Sequence, residues 1–222
     1  MNINNYFDKI VCINLERRKD RWAEMNKQFL KHGLEVIRIN AVNGNPMGWT
    51  RGNGFPGNKD GALGCTASHV NVYKMAKENG WKSVLIIEDD CEFIDNLNSL
   101  FEKAISTLPE DWDLLYFGGT HRTKKGQFIP ESINEYFVKG KRILTTHCYA
   151  VKDTMYDVIL NRVLEKEPLF ENTIDGYLAV SIQPICKTYA FHPPIAWQKA
   201  GHSDVQNGWR DYPHLKTGAF RG

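Results

Sequence analysis

Two short, unbroken apolar runs, Ile10-Val11-Cys12-Ile13 and Val84-Leu85-Ile86-Ile87, constrain this chain more than any other feature. A strand with one wet face alternates apolar and polar residues. A continuous run of this length instead marks a strand covered on both faces, the kind found in parallel sheets. Such a sheet needs helices on both sides, and the spacing supplies them. Trp22, Met25 and Phe29 recur at helical intervals, and Gly33 follows as a C-terminal cap. Glu35 to Ile39 reads as a second strand, so the first forty residues form one βαβ unit.

The alternation continues. Leu63, Ala67, Val70, Tyr73 and Ala76 mark a helix that stops near Gly80, and the strand from Ser83 to Ile87 follows. Further helices are expected over Asn96 to Thr107 and Asp153 to Glu165, with a short one near Asp175. Strands are expected at Leu114 to Phe117, around Phe137, at His147 to Val151 and at Lys187 to Phe191. Thr120 to Glu135 reads as polar and irregular, and the end of the chain as a polar tail. The fold class is therefore α/β. No Pro/Ser-rich linker or charge block divides the 222 residues, so one domain over 1–222 is expected. Gly44 to Gly61 holds six glycines and reads as a long loop, expected to be mobile and to close over a bound ligand.

The second strand run ends abruptly in Glu88-Asp89-Asp90. Open α/β sheets bind ligands at the carboxyl ends of their strands, and adjacent carboxylates there repel unless a cation neutralises them. Hard oxygen ligands suit Mg²⁺ or Mn²⁺ bridged to a substrate phosphate. A solvated turn with helix-capping Asp residues would use the same residue types, so the triplet alone leaves both readings open.

The chain carries 28 Lys+Arg against 26 Asp+Glu, a formal charge of +2, which argues against a nucleic-acid partner. Five scattered cysteines without a C-x-x-C pair argue against a structural zinc site and fit reduced thiols. Met1 to Lys9 lacks the apolar core of a secretory signal, and no apolar run is long enough to span a bilayer. A cytoplasmic location is the expectation that follows.

Several motifs then occur in a fixed order: Ile13-Asn14-Leu15-Glu16-Arg17-Arg18-Lys19-Asp20-Arg21, Ala41-Val42-Asn43-Gly44, Gly61-Ala62-Leu63-Gly64-Cys65-Thr66-Ala67-Ser68-His69, and Leu85-Ile86-Ile87-Glu88-Asp89-Asp90. Weaker matches are Trp112 to Gly118, His147-Cys148-Tyr149, Asp175 with Leu178, and Pro194 to Gln198 followed by Ser203-Asp204. In these the chain resembles glycosyltransferase family 25, which includes bacterial lipopolysaccharide galactosyl- and glucosyltransferases and collagen galactosyltransferases. The resemblance implies a GT-A-type, Rossmann-like domain with a mostly parallel central sheet. It also implies a UDP-sugar donor and a divalent metal, Mn²⁺ or Mg²⁺. The acceptor would be a hydroxyl on a glycan or a hydroxylated protein side chain, and oligomeric state is left open.

On that resemblance Asn14, Leu15, Arg17, Arg21, Gly64, Ser68, His69, Glu88 and Asp89 are expected around the donor, with Asp90 on the metal. Arg17 and Arg21 could clamp phosphate or simply form a solvated helix face. Ser68 and His69 are adjacent on a helix, which makes them a poor nucleophile–base pair. His69 could equally be a satisfied core histidine. Asp175 is the candidate general base, with a helix cap as the other reading. His202 is the candidate distant metal ligand, with His192 as its rival and a simple exposed histidine as the other reading of both. Trp49, Phe55, Trp197 and Trp209 are available for stacking on sugar or base. A catalytically inactive sugar- or protein-binding module of the same fold is the alternative to a transferase. A nucleotidyltransferase is a third reading, disfavoured because no glycine-rich Lys/Arg phosphate loop opens the chain.

Overall fold

The computed structural model describes residues 1–44, 59–122, 130–164, 173–205 and 208–217. Residues 45–58, which make up most of the expected glycine-rich lid together with Trp49 and Phe55, lie outside the described residues.

A one-turn helix α1 (Ile3–Tyr6) leads into strand β1 (Lys9–Asn14), helix α2 (Lys19–His32) and strand β2 (Val36–Asn40). Gly33 ends α2 in the left-handed region at φ 61°, where its N–H and that of Leu34 reach back to the Leu30 and Phe29 carbonyls. Helix α3 (Lys59–Glu78) carries the Gly64–His69 motif into strand β3 (Ser83–Glu88), and β4 (Cys91–Phe93) follows the acidic turn. Then come helix α4 (Leu97–Ile105), strand β5 (Leu114–Tyr116) and short strand β6 (Thr120–His121). Next are β7 (Phe137–Lys139), β8 (Ile143–Leu144) and β9 (Cys148–Lys152), then helices α5 (Tyr156–Leu164) and α6 (Ile174–Tyr177). The chain closes with β10 (Thr188–Phe191), β11 (Ala196–Gln198), the hairpin β12 (Gly201–Ser203) and β13 (Gly208–Arg210), and helix α7 (Pro213–Thr217).

The central sheet has the order β2-β1-β3-β9-β5-β10-β7. β1 pairs in parallel with β2 and β3, and β5 with β10, while β9 runs antiparallel between β3 and β5 and β7 lies antiparallel on β10. Five of the seven strands thus share one direction, the mostly parallel sheet expected. Alternate residues of each apolar run feed two separate cores. Ile10, Cys12, Leu85 and Ile87 pack with Met25, Phe29 and Phe101 from α2 and α4. Val11, Ile13, Val84 and Ile86 pack on the other face with Val70, Tyr73 and Ile159 from α3 and α5. Burial on both faces is why these runs do not alternate.

Several stretches differ from the sequence reading: α3 starts at Lys59, inside the expected loop, and β4 was not expected. Thr120 and His121 are buried and pair with β8, inside the span expected to be irregular. The expected polar tail is structured. Leu215 is buried, Thr120 Oγ1 lies 3.0 Å from His214 Nε2, and Lys216 Nζ sits 5.1 Å from the Trp197 ring. One buried apolar residue and two side-chain contacts fold a segment too polar to show a pattern of its own.

Candidate active site

Because β1 and β3 run in parallel and in register, Ile13 opposite Glu88, their carboxyl ends deliver Asn14 and the acidic turn to the same edge. A cavity of about 770 Å³ opens there. β9 arrives from the opposite direction, so its leading residues lie beside Glu88, whose N–H donates to the His147 carbonyl at 2.9 Å.

The three carboxylates are held differently. Glu88 Oε1 accepts from the Thr146 hydroxyl at 2.6 Å and lies 3.0 Å from His69 Nε2. An ionised carboxylate only accepts, so Nε2 carries the His69 proton and Nδ1, 2.8 Å from the Tyr149 hydroxyl, accepts from it. Burial pushes the Glu88 carboxyl up, but the His69 and Thr146 donors outweigh it and hold it below the usual range. Asp89 accepts from Arg21 Nη1 at 2.6 Å and from Asn14 Nδ2 at 2.7 Å, and Arg38 holds the Asn14 carbonyl at 2.6 Å. Asp90 Oδ2 accepts from Gln198 at 3.0 Å and Arg21 at 3.2 Å, while its Oδ1 is buried with no hydrogen-bond partner among the described residues. Burial, opposed by Arg21 and reinforced by the charges of Glu88 and Asp89, pushes the Asp90 carboxyl up to about 7.

The remaining expected residues divide. Leu15, Arg17, Arg21, Ser68, His69 and Asp175 line the cavity with the acidic triplet. Asn14 and Gly64 stand behind it. A Cβ on Gly64 would fall 2.5 Å from the Val42 carbonyl, so only glycine lets α3 approach this closely. Ser68 completes that contact, donating to the Gly64 carbonyl at 2.6 Å and accepting from the Val42 N–H at 2.8 Å. Arg17 and Arg18 both reach Asp204 at 2.8 Å, and Arg21 Nη2 donates to the His202 carbonyl at 2.7 Å. The arginines expected on phosphate are therefore engaged by carboxylates and by the β12 backbone. The His202 side chain is exposed and not part of the cavity wall. His192 lines a separate apolar groove with Pro193, Pro194 and Trp197. Trp209 is exposed.

Asp175 sits at the start of α6, where Thr173 is the N-cap residue. Its carboxylate accepts from the Thr173 hydroxyl, from the Gly176 N–H at 2.8 Å and from the Thr145 N–H at 3.1 Å. Sequence reasoning missed Thr145 and Thr146, which immediately precede the His147-Cys148-Tyr149 motif, and it did not weigh Asp204 or Gln198 individually. Arg122, Tyr212 and His214 also line the cavity and carried no signal.

The family model described as glycosyltransferase family 25 (LPS biosynthesis protein) matches residues 7–167. The chain belongs to glycosyltransferase family 25. Among its relatives, procollagen galactosyltransferase 2 of Homo sapiens is 30% identical over 129 residues, covering 50% of this chain and 21% of that protein. A glycosyltransferase 25 family member of Anopheles gambiae is 26% identical over 230 residues, covering 93% of this chain and 36% of that protein. The chain thus spans between about a fifth and about a third of the length of these family 25 relatives. A solved glycosyltransferase involved in the glycosylation of the major capsid of PBCV-1 superposes with a TM-score of 0.49 at 9% identity, covering 82% of this chain and 79% of that one. The family match includes Asn14 through Asp90 and ends before Asp175, Gln198 and Asp204. Among the described residues, no helix is long and apolar enough to cross a membrane.

Proposed function

We propose that this family 25 chain transfers a hexose, galactose or glucose, from a UDP-sugar to an acceptor hydroxyl with the help of Mn²⁺ or Mg²⁺. The acceptor classes that fit the family are a lipopolysaccharide sugar or another glycan, and a hydroxylated protein side chain. The observation that carries the reading is Asp90 Oδ1, a buried carboxylate oxygen with no hydrogen-bond partner among the described residues, on a side chain that lines the cavity with Glu88 and Asp89. Charge supports it. The described lining includes Glu88, Asp89, Asp90, Asp175 and Asp204 against Arg17, Arg21 and Arg122. Arg17 and Arg21 are already taken by Asp204, Asp89 and Asp90. A diphosphate entering this cavity needs further positive charge, and Asp90 has an oxygen to spare for a cation. When bound, that metal offsets the charge that develops on the departing nucleoside diphosphate.

The protein's own groups do the rest. Arg21 and Asn14 fix Asp89, and His69 and Thr146 fix Glu88, so the acidic face is rigid before donor arrives. Either acid would then accept a hydrogen bond from a ribose hydroxyl of the donor. Asp175 takes the proton from the acceptor hydroxyl as that oxygen attacks the anomeric carbon, the arrangement of an inverting transfer. Its three donors orient the carboxylate without blocking every lone pair. Titration calorimetry of UDP tests the reading: binding should require Mn²⁺ and be lost in Asp90→Asn. Equal affinity in EDTA would remove the metal. A panel of nucleotide sugars and acceptors would then name the substrates.

A further inference from the structure

The cavity holds a second set of ligand atoms, of which the hard-metal reading uses only Glu88, and not as a direct metal ligand. Cys65 and His69 are four residues apart on α3, hence on one face of the helix, and Glu88 meets them from the end of β3. The Cys65 sulfur, a His69 ring nitrogen and a Glu88 carboxylate oxygen all lie within 4.8 Å of one another, and all three residues line the cavity. We propose that Cys65, His69 and Glu88 form a site for a borderline-soft divalent cation of the Zn²⁺ type, with its open position facing the cavity.

The donor set decides the ion. Thiolate and imidazole favour Zn²⁺ and Co²⁺ over Mg²⁺ and Mn²⁺, which seek carboxylate and water. Three protein ligands with an open fourth position is the pattern of a reactive zinc site rather than a closed structural one. The surroundings are built for it. A ligating histidine is oriented by a hydrogen bond from its other ring nitrogen, and Tyr149 stands at that nitrogen, 2.8 Å from His69 Nδ1. Tyr149 is bonded in turn to the Tyr73 hydroxyl, so the pair can reverse its donors when the His69 proton moves from Nε2 to Nδ1. Thr146 holds the Glu88 carboxylate at 2.6 Å. Cation binding displaces the Cys65 thiol proton to solvent, and the cation then replaces the His69–Glu88 hydrogen bond. The site uses no atom of Asp90, and it stands whether or not the UDP reading holds.

Co²⁺ titration of the full chain is the test. Wild type should develop a thiolate-to-cobalt charge-transfer band with intense four-coordinate d–d bands, both lost on adding one equivalent of Zn²⁺. Cys65→Ser should abolish the charge transfer, whereas Cys186→Ser, which alters a thiol at Thr188, should keep it. Tyr149→Phe should weaken Zn²⁺ by about 10–100-fold while the bands persist at saturation. Asp90→Asn should keep the band and lose Mn²⁺-dependent UDP binding, which separates this site from the proposed transferase site. No charge transfer in wild type, its survival in Cys65→Ser, or its loss in Asp90→Asn would overturn the proposal. If Cys65→Ser fails to fold, the cadmium NMR shift of wild type decides instead. A one-sulfur donor set supports the site and an all-oxygen set overturns it.

Discussion

Thr145 and Thr146 are neighbours in sequence and each holds a different carboxylate: the Thr145 N–H reaches Asp175 and the Thr146 hydroxyl reaches Glu88. These two consecutive residues thereby tie the candidate base to the acidic turn. Thr145 adopts φ 74°, a left-handed conformation uncommon for a β-branched residue, and this turn aims the two donors at separate acids. Thr146→Val preserves shape and removes one donor. We expect it to destabilise the protein by about 2 kcal/mol, the scale of a hydrogen bond to a charged group, in urea unfolding at pH 7. A loss under 0.5 kcal/mol, well below that scale, would mean that Glu88 does not depend on Thr146.

The Asp90 carboxyl binds its proton up to about pH 7 in the folded protein, against 3.8 ordinarily. Between those values the folded state holds more protons than the unfolded one, so this group's contribution to stability falls as pH rises from about 4 to about 7. Above that window the cost is up to about 4 kcal/mol. Asp90→Asn stays neutral, so in EDTA at pH 8 it should melt above wild type, with the difference shrinking toward pH 4. A variant that melts lower at pH 8 would contradict the repulsive site.

His121 has the opposite sign. Burial, with the nearby His192 charge adding to it, lowers its pKa from 6.5 to about 4. The unfolded chain then binds the extra proton first, so stability present above pH 6.5 is lost as pH falls toward 4, by about 3 kcal/mol. His121→Gln should flatten that acid limb in melting curves taken across the window. An unchanged slope would place the acid sensitivity elsewhere.

Asp175→Asn keeps the size of the side chain and removes the proton acceptor. Turnover should fall by about 10²–10⁴-fold while UDP affinity in Mn²⁺ stays within a few-fold. Matched losses of both would assign Asp175 to donor binding instead of proton transfer.

The sheet was legible in the sequence because burial on both faces writes itself as unbroken runs such as Val84 to Ile87. The acidic turn was legible because it interrupts one of those runs. His69 shows how far a motif reaches: it is fully buried, as a core histidine would be, and yet it touches Glu88 in the cavity. What escaped are contacts between distant segments. Thr146 meets Glu88 across 58 positions, and Arg21 meets the His202 carbonyl across 181. No local period encodes such pairs. The same holds for His202, whose position after the last core strand suggested a ligand, whereas the hairpin presents its carbonyl to Arg21 and its ring to solvent.

The placement of β9 also sets an order of events during synthesis. Residues 83–87 of β3 pair with β9 over five positions, and β5 lies between β9 and β10, both of which emerge later. A nascent chain that has not yet reached Cys148 carries β2-β1-β3 with an open edge and a β5 strand with no neighbour on either side. Closing the sheet must wait for a distant segment, which makes folding slow and leaves an apolar edge available to other chains. Truncations ending before Thr145 should therefore aggregate rather than yield a smaller folded unit, and the cavity they would carry has no wall at Thr145 and Thr146.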